Sequence, residues 1–156
     1  IAVTLAKLRP QARVTAVDID YAALVLARAN AKRHRVSVRF FCGDWFGALL
    51  GETFDLIVSN PPYVAAADPH LASGDVRFEP QRALLGGADG MDCIRAIVAK
   101  AGAHLDPGAW LLFEHGYDQS EACCALLEAQ GYAEVQSWPD LAGIPRVSGG
   151  RIAAMT

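Results

Sequence analysis

The 156-residue sequence lacks the features that mark membrane-spanning, exported and broadly nucleic-acid-binding proteins. It contains no run of about 18 uncharged apolar residues, so we expect no membrane-spanning helix. It carries no signal-peptide pattern. Its net charge of −3 shows no overall basic excess, which argues against broad nucleic-acid binding. We interpret the basic cluster of Arg28, Lys32, Arg33 and Arg35 as the solvated end of a helix.

The sequence lacks the cysteine spacings that mark the common cysteine-based sites. The four residues, Cys42, Cys93, Cys123 and Cys124, form no CxxC pair, and no histidine stands at zinc-ligand spacing from them. We therefore predict no metal site and no disulfide set. Buried, reduced thiols are typical of a cytosolic protein, and we expect a cytoplasmic location.

The sequence also lacks an initiating methionine and a cap for its first helix. It opens with Ile1 inside the apolar helical pattern "IAVTLAKLRP", and a natural chain rarely begins within a helix without a cap. Because this length suits a single domain, we interpret residues 1–156 as one domain whose upstream part is missing.

Apolar runs of strand length alternate with helical patterns along the chain. Predicted strands cover residues 13–17, 36–42, 54–58, 109–115, 132–138 and 151–156, and predicted helices cover 1–8, 21–33, 91–105 and 119–130. The alternation predicts an α/β sandwich with a mostly parallel sheet. The last two strands have no helix between them and predict a C-terminal antiparallel hairpin. The region 64–90 has no sustained period and is predicted to be a lid or binding loop.

Apolar spacing also predicts which positions are buried. The expected helical faces are Ala23, Leu26, Ala27 and Asn30 in one helix, and Ile94, Ile97, Val98 and Ala101 in another. The continuous runs 56–58 and 110–113 are typical of strands that are buried on both faces. Asp20 is the predicted N-cap of the helix that follows it.

Three predicted strands end on polar residues, Asp18, Asp44 and Asn60. Ligands of open α/β sheets bind beyond the carboxyl ends of the strands, so we expect these residues to face one crevice. The Asp18 carboxylate suits the hydroxyls of a ribose, with helix capping as the alternative. Asp44 suits the amino group of an adenine, and Trp45 either covers the base or belongs to the core.

The tetrapeptide Asn60-Pro61-Pro62-Tyr63 is the most specific indication of chemistry. Two prolines fix the backbone and remove two N–H donors, which leaves the Asn60 side-chain oxygen and the Pro61 carbonyl as acceptors. Two acceptors suit a planar NH₂ group, and Tyr63 offers a flat face against which that plane can lie. A rigid turn that caps the strand is the alternative interpretation.

With "AVDID" and "GDW" upstream, this tetrapeptide resembles that of class I S-adenosylmethionine-dependent methyltransferases that act on planar nitrogens. The segments "DPHLASGDVRFEPQRALLGGADGM" (68–91), "LLFEHG" (111–116) and "RVSGGR" (146–151) narrow the resemblance to release-factor glutamine methyltransferases. The resemblance covers essentially the whole chain and implies a Rossmann-like fold. It places a first strand, a cofactor-binding glycine-rich loop and a helical N-terminal domain upstream of Ile1. We therefore expect these residues alone to be unstable and inactive.

The resemblance implies methyl transfer from S-adenosylmethionine to the glutamine amide nitrogen of the Gly-Gly-Gln motif in class I peptide chain release factors. It assigns Asn60, Pro61 and Tyr63 to catalysis, adds Pro62 for substrate binding, and assigns Asp18, Asp44, Trp45 and Asn60 to the cofactor. We expect release factors as partners of a monomeric enzyme, and neither a membrane nor direct nucleic-acid binding.

Several other charged residues have open roles. Arg77 and Glu79 either shape the substrate channel or brace the loop, and Glu114 and His115 end the fourth strand. For His115 a supporting hydrogen bond is favoured over a general-base role, because a nitrogen that becomes positive needs no prior base.

Two alternative functions are also compatible with the residues. A nucleic-acid amino-group methyltransferase, acting on adenine N6 or guanine N2, would use the same tetrapeptide. The acidic balance and residues 76–80 weigh against it. The second alternative is a non-catalytic, methyltransferase-like interaction module.

Overall fold

The computed structural model describes residues 1–72 and 80–153 of the chain. The chain divides into two units, Ile1–Glu52 and Thr53–Thr156. Within the described ranges, every helix is too short or too polar to cross a lipid bilayer.

The first unit contains two helices and a two-stranded sheet. Its elements are α1 (Ala2–Leu8), β1 (Thr15–Asp18), α2 (Tyr21–His34) and β2 (Arg39–Cys42). The two strands pair in parallel, with Asp18 opposite Cys42. The Asp20 side chain accepts a hydrogen bond from the Ala22 N–H at 2.9 Å, which confirms the predicted N-cap of α2.

The buried side of α2 differs from the predicted one. Leu24 and Ala31 are buried, whereas Leu26, predicted to lie on the buried face, is 64 % exposed. The helix packs against α1, β1 and β2. Because alanines are distributed around α2, its sequence does not define one apolar stripe, and tertiary packing decides which side is buried.

The described part of the second unit contains a four-stranded mixed sheet and two α-helices of ten residues each. Its elements are β3 (Phe54–Ser59), α3 (Asp92–Ala101), β4 (Leu105–Glu114), α4 (Ser120–Ala129), β5 (Ala133–Pro139) and β6 (Pro145–Arg151). The strand order is β3-β4-β6-β5, in which β3 and β4 are parallel and β6 is antiparallel to both β4 and β5. The predicted C-terminal antiparallel hairpin is confirmed.

The last strand lies earlier in the chain than predicted. It covers Pro145–Arg151, whereas the prediction covered 151–156, of which 154–156 lie outside the described residues. The glycine pair in this strand permits close packing. A Cβ added at Gly149 would lie 2.4 Å from Leu112 Cδ2, and one at Gly150 would lie 2.8 Å from Tyr132 Cβ.

The boundary between α3 and β4 also differs from the prediction. The helix ends at Ala101 and not at residue 105, and β4 begins at Leu105, four residues before the predicted start of the strand at 109. A shift in the β3–β4 register between Phe54 and Leu56 accommodates these extra residues as a bulge-like irregularity.

The core of the second unit is built mainly from α3, α4 and β4. All four predicted face residues of α3 are buried, as are Leu111 and Phe113 of β4. The expectation of burial on both faces is wrong for β3, where Leu56 is 45 % and Val58 is 38 % exposed. Among the described strands, β3 lies at the edge of its sheet and pairs only with β4, so less of its surface is covered.

The four cysteines are free thiols with different environments. Cys123 is completely buried, and burial raises its pKa to about 12. Cys42 is exposed, contrary to the expectation of buried thiols, because it is the last residue of a two-stranded sheet.

Candidate active site

The corner that follows β3 carries the predicted acceptor residues. Asn60 comes directly after the last residue of β3, and its side chain is exposed. It forms no hydrogen bond with any residue in the described parts of the chain. Pro61 is buried and Pro62 is half-buried, so the prolines anchor the corner while the Asn60 amide stays open to an external donor.

The Tyr63 side chain is held by two residues that are distant in sequence. Its hydroxyl donates a hydrogen bond to Glu114 Oε1 at 2.9 Å and accepts one from Arg146 Nη2 at 2.9 Å. The Arg146 guanidinium carbon lies over the ring, 5.4 Å from its centroid, and Arg146 pairs with Glu114 at 3.8 Å. The sheet brings them together, because Glu114 stands opposite Val147 in the β4–β6 register. We call Tyr63, Glu114 and Arg146 the tyrosine clamp.

The environment of the clamp keeps the Tyr63 phenol protonated at neutral pH. Burial raises its pKa above the usual value of 10.0, and the hydrogen bond and negative charge of Glu114 raise it further. Arg146 lowers the same pKa by a smaller amount. Since the proton is held by Glu114, Tyr63 offers a substrate its ring rather than a base.

Gln119 joins three backbone segments around the same corner. Its amide nitrogen donates to the Tyr63 carbonyl at 3.0 Å and to the Asp89 carbonyl at 3.4 Å. Its amide oxygen accepts the Gly116 N–H at 2.7 Å. Sequence reasoning missed this residue, because a glutamine before a helix carries no local signal for contacts with a corner 56 residues away.

Part of the predicted loop is packed against the corner. The Gly86 N–H donates to the Val64 carbonyl at 2.9 Å within a short parallel bridge. Gly90 has a φ of 77°, and a Cβ added there would lie 2.3 Å from the Tyr63 carbonyl oxygen and 2.6 Å from Gln119 Nε2. Glycine at position 90 is therefore required both by conformation and by close approach.

Two residues with predicted roles cannot be placed in this site, since Arg77 and Glu79 lie outside the described residues. Within 1–72 and 80–153, no group of three or more histidine, cysteine or acidic side chains is arranged to hold a metal ion.

His115 is completely buried, and both of its ring nitrogens are engaged. Nδ1 lies 2.8 Å from the Gly116 carbonyl, which can only accept a proton, so Nε2 accepts the Ser148 hydroxyl proton at 2.9 Å. Burial lowers the His115 pKa below its usual value of 6.5. The ring is inaccessible to a substrate, and its geometry fits the supporting role favoured by the sequence.

Three of the four predicted cofactor residues belong to the first unit and lie at or just after the ends of β1 and β2, whereas the fourth, Asn60, follows β3 in the second unit. Asp18 is exposed, and its Oδ1 accepts the Asp20 N–H at 2.8 Å, while Oδ2 bonds to no described residue. Asp44 is also exposed, and Trp45 is half-buried with a φ of 49°, which is uncommon for an aromatic residue. These groups fit a nucleoside, since they provide free carboxylate oxygens for hydroxyl or amino donors and a partly open aromatic surface.

The first half of the chain matches a family model described as the methyltransferase small domain, over residues 1–78. This match includes Asp18, Asp44 and Trp45 and also the corner at residues 60–63.

Curated relatives with the name "Release factor glutamine methyltransferase" match almost the whole chain. The protein of Xylella fastidiosa strain Temecula1 is 52 % identical over 152 residues, which cover 97 % of this chain and 55 % of the relative. The protein of Burkholderia pseudomallei is 51 % identical over 159 residues, and the match covers 97 % of this chain and 56 % of the relative. The chain thus spans about half the length of these relatives.

Solved structures of methyltransferases share the fold. A methyltransferase from Pyrococcus furiosus has a TM-score of 0.69 at 21 % identity and covers 97 % of this chain and 69 % of its own. A Thermus thermophilus 16S rRNA N2 G1207 methyltransferase, solved with AdoMet and guanosine, has a TM-score of 0.63 at 21 % identity. The match covers 92 % of this chain and 32 % of that methyltransferase. The predicted class I methyltransferase fold is confirmed by these likenesses.

Proposed function

Because this chain belongs to the methyltransferase small domain family, we propose that the full-length protein methylates the Gly-Gly-Gln glutamine of class I peptide chain release factors on its side-chain amide nitrogen. S-adenosylmethionine supplies an electrophilic methyl group when it is bound. The names of relatives at 52 % and 51 % identity support this choice of substrate.

The observation that carries the proposal is the state of the corner after β3. Asn60 presents an exposed side-chain amide with no hydrogen bond to a described residue, beside a proline pair and a fixed aromatic ring. A corner that served only to cap the strand would gain most by using the Asn60 oxygen within the chain. An acceptor left open at a strand end is instead suited to a ligand.

An amide nitrogen is a poor nucleophile, because its lone pair is delocalised into the carbonyl. That resonance underlies a C–N rotation barrier of about 18–20 kcal/mol in peptides. Asn60 Oδ1 and the Pro61 carbonyl would accept the two amide hydrogens of the substrate and hold its nitrogen in line with the donated methyl group. As the nitrogen becomes positive, both oxygens bind it more tightly, which lowers the barrier without a prior base. The N–CH₃ bond would form as the S–CH₃ bond of the sulfonium breaks, and the extra amide proton would then leave to water.

The remaining site residues have binding roles in this proposal. Tyr63 packs its ring against the plane of the substrate amide. Pro62 stiffens the backbone that joins Tyr63 to the acceptor residues. In the first unit, Asp18 would hold ribose hydroxyls, and Trp45 would contact the adenine ring with Asp44 near its amino group.

The substrate determines the expected setting of the enzyme. In this proposal the reaction is cytoplasmic, as the unpaired cysteines favour, and the protein partner is the release factor itself. We expect the enzyme to act as a monomer that needs no direct contact with nucleic acid.

A substrate comparison with the full-length protein tests the proposal. Purified enzyme with labelled S-adenosylmethionine is offered an unmethylated release factor, the same factor with its Gly-Gly-Gln glutamine replaced by alanine, and unmethylated RNA and DNA. We expect incorporation of one methyl group into the first substrate alone. Incorporation into RNA or DNA would favour the amino-group methyltransferase of nucleic acids, and no incorporation at all would favour a non-catalytic module.

A further inference from the structure

Resting on the proposed function, we infer that Glu114 and Arg146 are positioning residues that fix the Tyr63 ring for the acceptor amide. The evidence is the geometry of the tyrosine clamp, in which one hydroxyl bonds to both residues at 2.9 Å.

Within the clamp, the Tyr63 hydroxyl both donates and accepts a hydrogen bond. The single proton goes to Glu114 Oε1, and Arg146 Nη2 occupies an acceptor position on the oxygen. A hydroxyl so engaged has no proton to offer a substrate, which leaves the ring face as the useful part of the side chain. Because Arg146 covers one face at 5.4 Å, a flat amide would stack on the opposite face.

The opposite charges of the clamp also suit a nitrogen that becomes positive. Arg146 alone near such a nitrogen would raise the barrier, but its pairing with Glu114 at 3.8 Å offsets that charge. The pair thus stiffens the ring while adding no net charge to the corner.

Buried hydrogen bonds anchor the clamp from behind. The His115 N–H donates to the Arg146 carbonyl at 2.9 Å, and the His115 ring bonds to Ser148 at 2.9 Å. His115 directly follows Glu114, and Ser148 lies two residues after Arg146 on β6, so these bonds hold the strand segments that carry Glu114 and Arg146 at a fixed separation.

A double-mutant cycle on the full-length enzyme tests this inference. The variants are Tyr63→Phe, Arg146→Met and the double variant, with Arg151→Met as the control. Arg151 lies on the same strand, bonds to the Gly108 carbonyl at 2.7 Å and pairs with Glu134 at 3.0 Å, away from the clamp. The measured quantities are kcat, KM for the release factor, and the free energy of unfolding of each variant.

We expect each clamp variant to lower kcat by about tenfold with less than about threefold change in KM, and the double variant to be no slower than either single one. Glu114→Gln should lower kcat at least as much as Arg146→Met, because it leaves a positive charge uncompensated. The inference would be overturned if the fold-loss of kcat in the double variant equalled the product of the two single losses. It would also be overturned if Arg151→Met lowered kcat as much as the clamp variants do.

The cycle separates failure of the inference from failure of the proposed function. If the wild-type enzyme does not methylate a release factor, the proposed substrate is wrong and the positioning role for that amide is overturned with it. If it does, non-additive unfolding energies with unchanged kcat would show a purely structural clamp and overturn the inference alone.

Discussion

The two strand-end sites of this chain differ in how their polar groups are engaged. In the second unit, Tyr63 bonds to Glu114 and Arg146, which lie 51 and 83 residues away in sequence. In the first unit, Asp18 bonds to the backbone of Asp20, only two residues away. The acceptor corner is thus fixed by the fold, whereas the proposed cofactor residues are fixed mainly by their own turns.

The difference is consistent with the separate tasks proposed for the two sites. Non-local bonds fix the acceptor corner before substrate arrives, which is what a positioning mechanism requires. Exposed carboxylates held by local turns leave most of their hydrogen-bonding capacity for a ligand. We therefore expect changes around the corner to affect turnover, and changes at Asp18 to affect cofactor affinity.

Among the variants that test how the corner is fixed, Gly90→Ala is expected to lower the free energy of unfolding most. The matched control is Gly131→Ala, because both glycines have a φ near 80° (77° and 81°) but Gly131 has no atom within 4 Å of an added Cβ. We expect the control to cost about 1 kcal/mol from backbone strain alone, and Gly90→Ala to cost about 1–3 kcal/mol more from contact with the Tyr63 carbonyl and Gln119.

Chemical denaturation of the full-length protein measures these costs, and an assay of kcat accompanies it. Only Gly90→Ala should lower kcat, since only it displaces the corner. Equal losses of stability and activity in both variants would break the claim that packing fixes this corner.

A smaller effect is expected from the buried histidine behind the clamp. The folded-state pKa of His115 lies below its unfolded value of about 6.5, so the unfolded chain binds more protons between these two values. Stability should therefore be fully present above about pH 6.5 and fall as the pH is lowered through that value. Melting temperatures of wild type and His115→Gln between pH 7 and 5.5 check this, and the variant should show the shallower decline. A steeper decline in the variant would contradict the buried, neutral ring.

Sequence periodicity was sufficient where one face of an element is clearly apolar. The face of α3 could be predicted because isoleucine and valine recur at helical spacing on one side. The face of α2 could not, since alanines leave its orientation to tertiary packing. The position of β6 could not be predicted, because its glycines favour a turn when the sequence is considered alone. In the packed sheet the same glycines permit close backbone approach.

The candidate site could likewise be predicted from the sequence only in part. Asn60, the prolines and Tyr63 are contiguous, so their chemistry can be read from one tetrapeptide. The contacts of Glu114, Arg146 and Gln119 with that corner depend on strand register and loop packing. Family resemblance marked the segments that contain Glu114 and Arg146, but only the paired strands show what these side chains touch.

The most direct test of the account is kcat of Asn60→Ala and Asn60→Asp in the full-length enzyme, with saturating release factor and S-adenosylmethionine. We predict that alanine lowers kcat by at least about 10²-fold, by analogy with loss of one preorganised polar group, and leaves cofactor affinity measured by calorimetry nearly unchanged. Aspartate keeps an acceptor oxygen and should retain more activity than alanine. Equal turnover for wild type and Asn60→Ala would contradict the positioning mechanism.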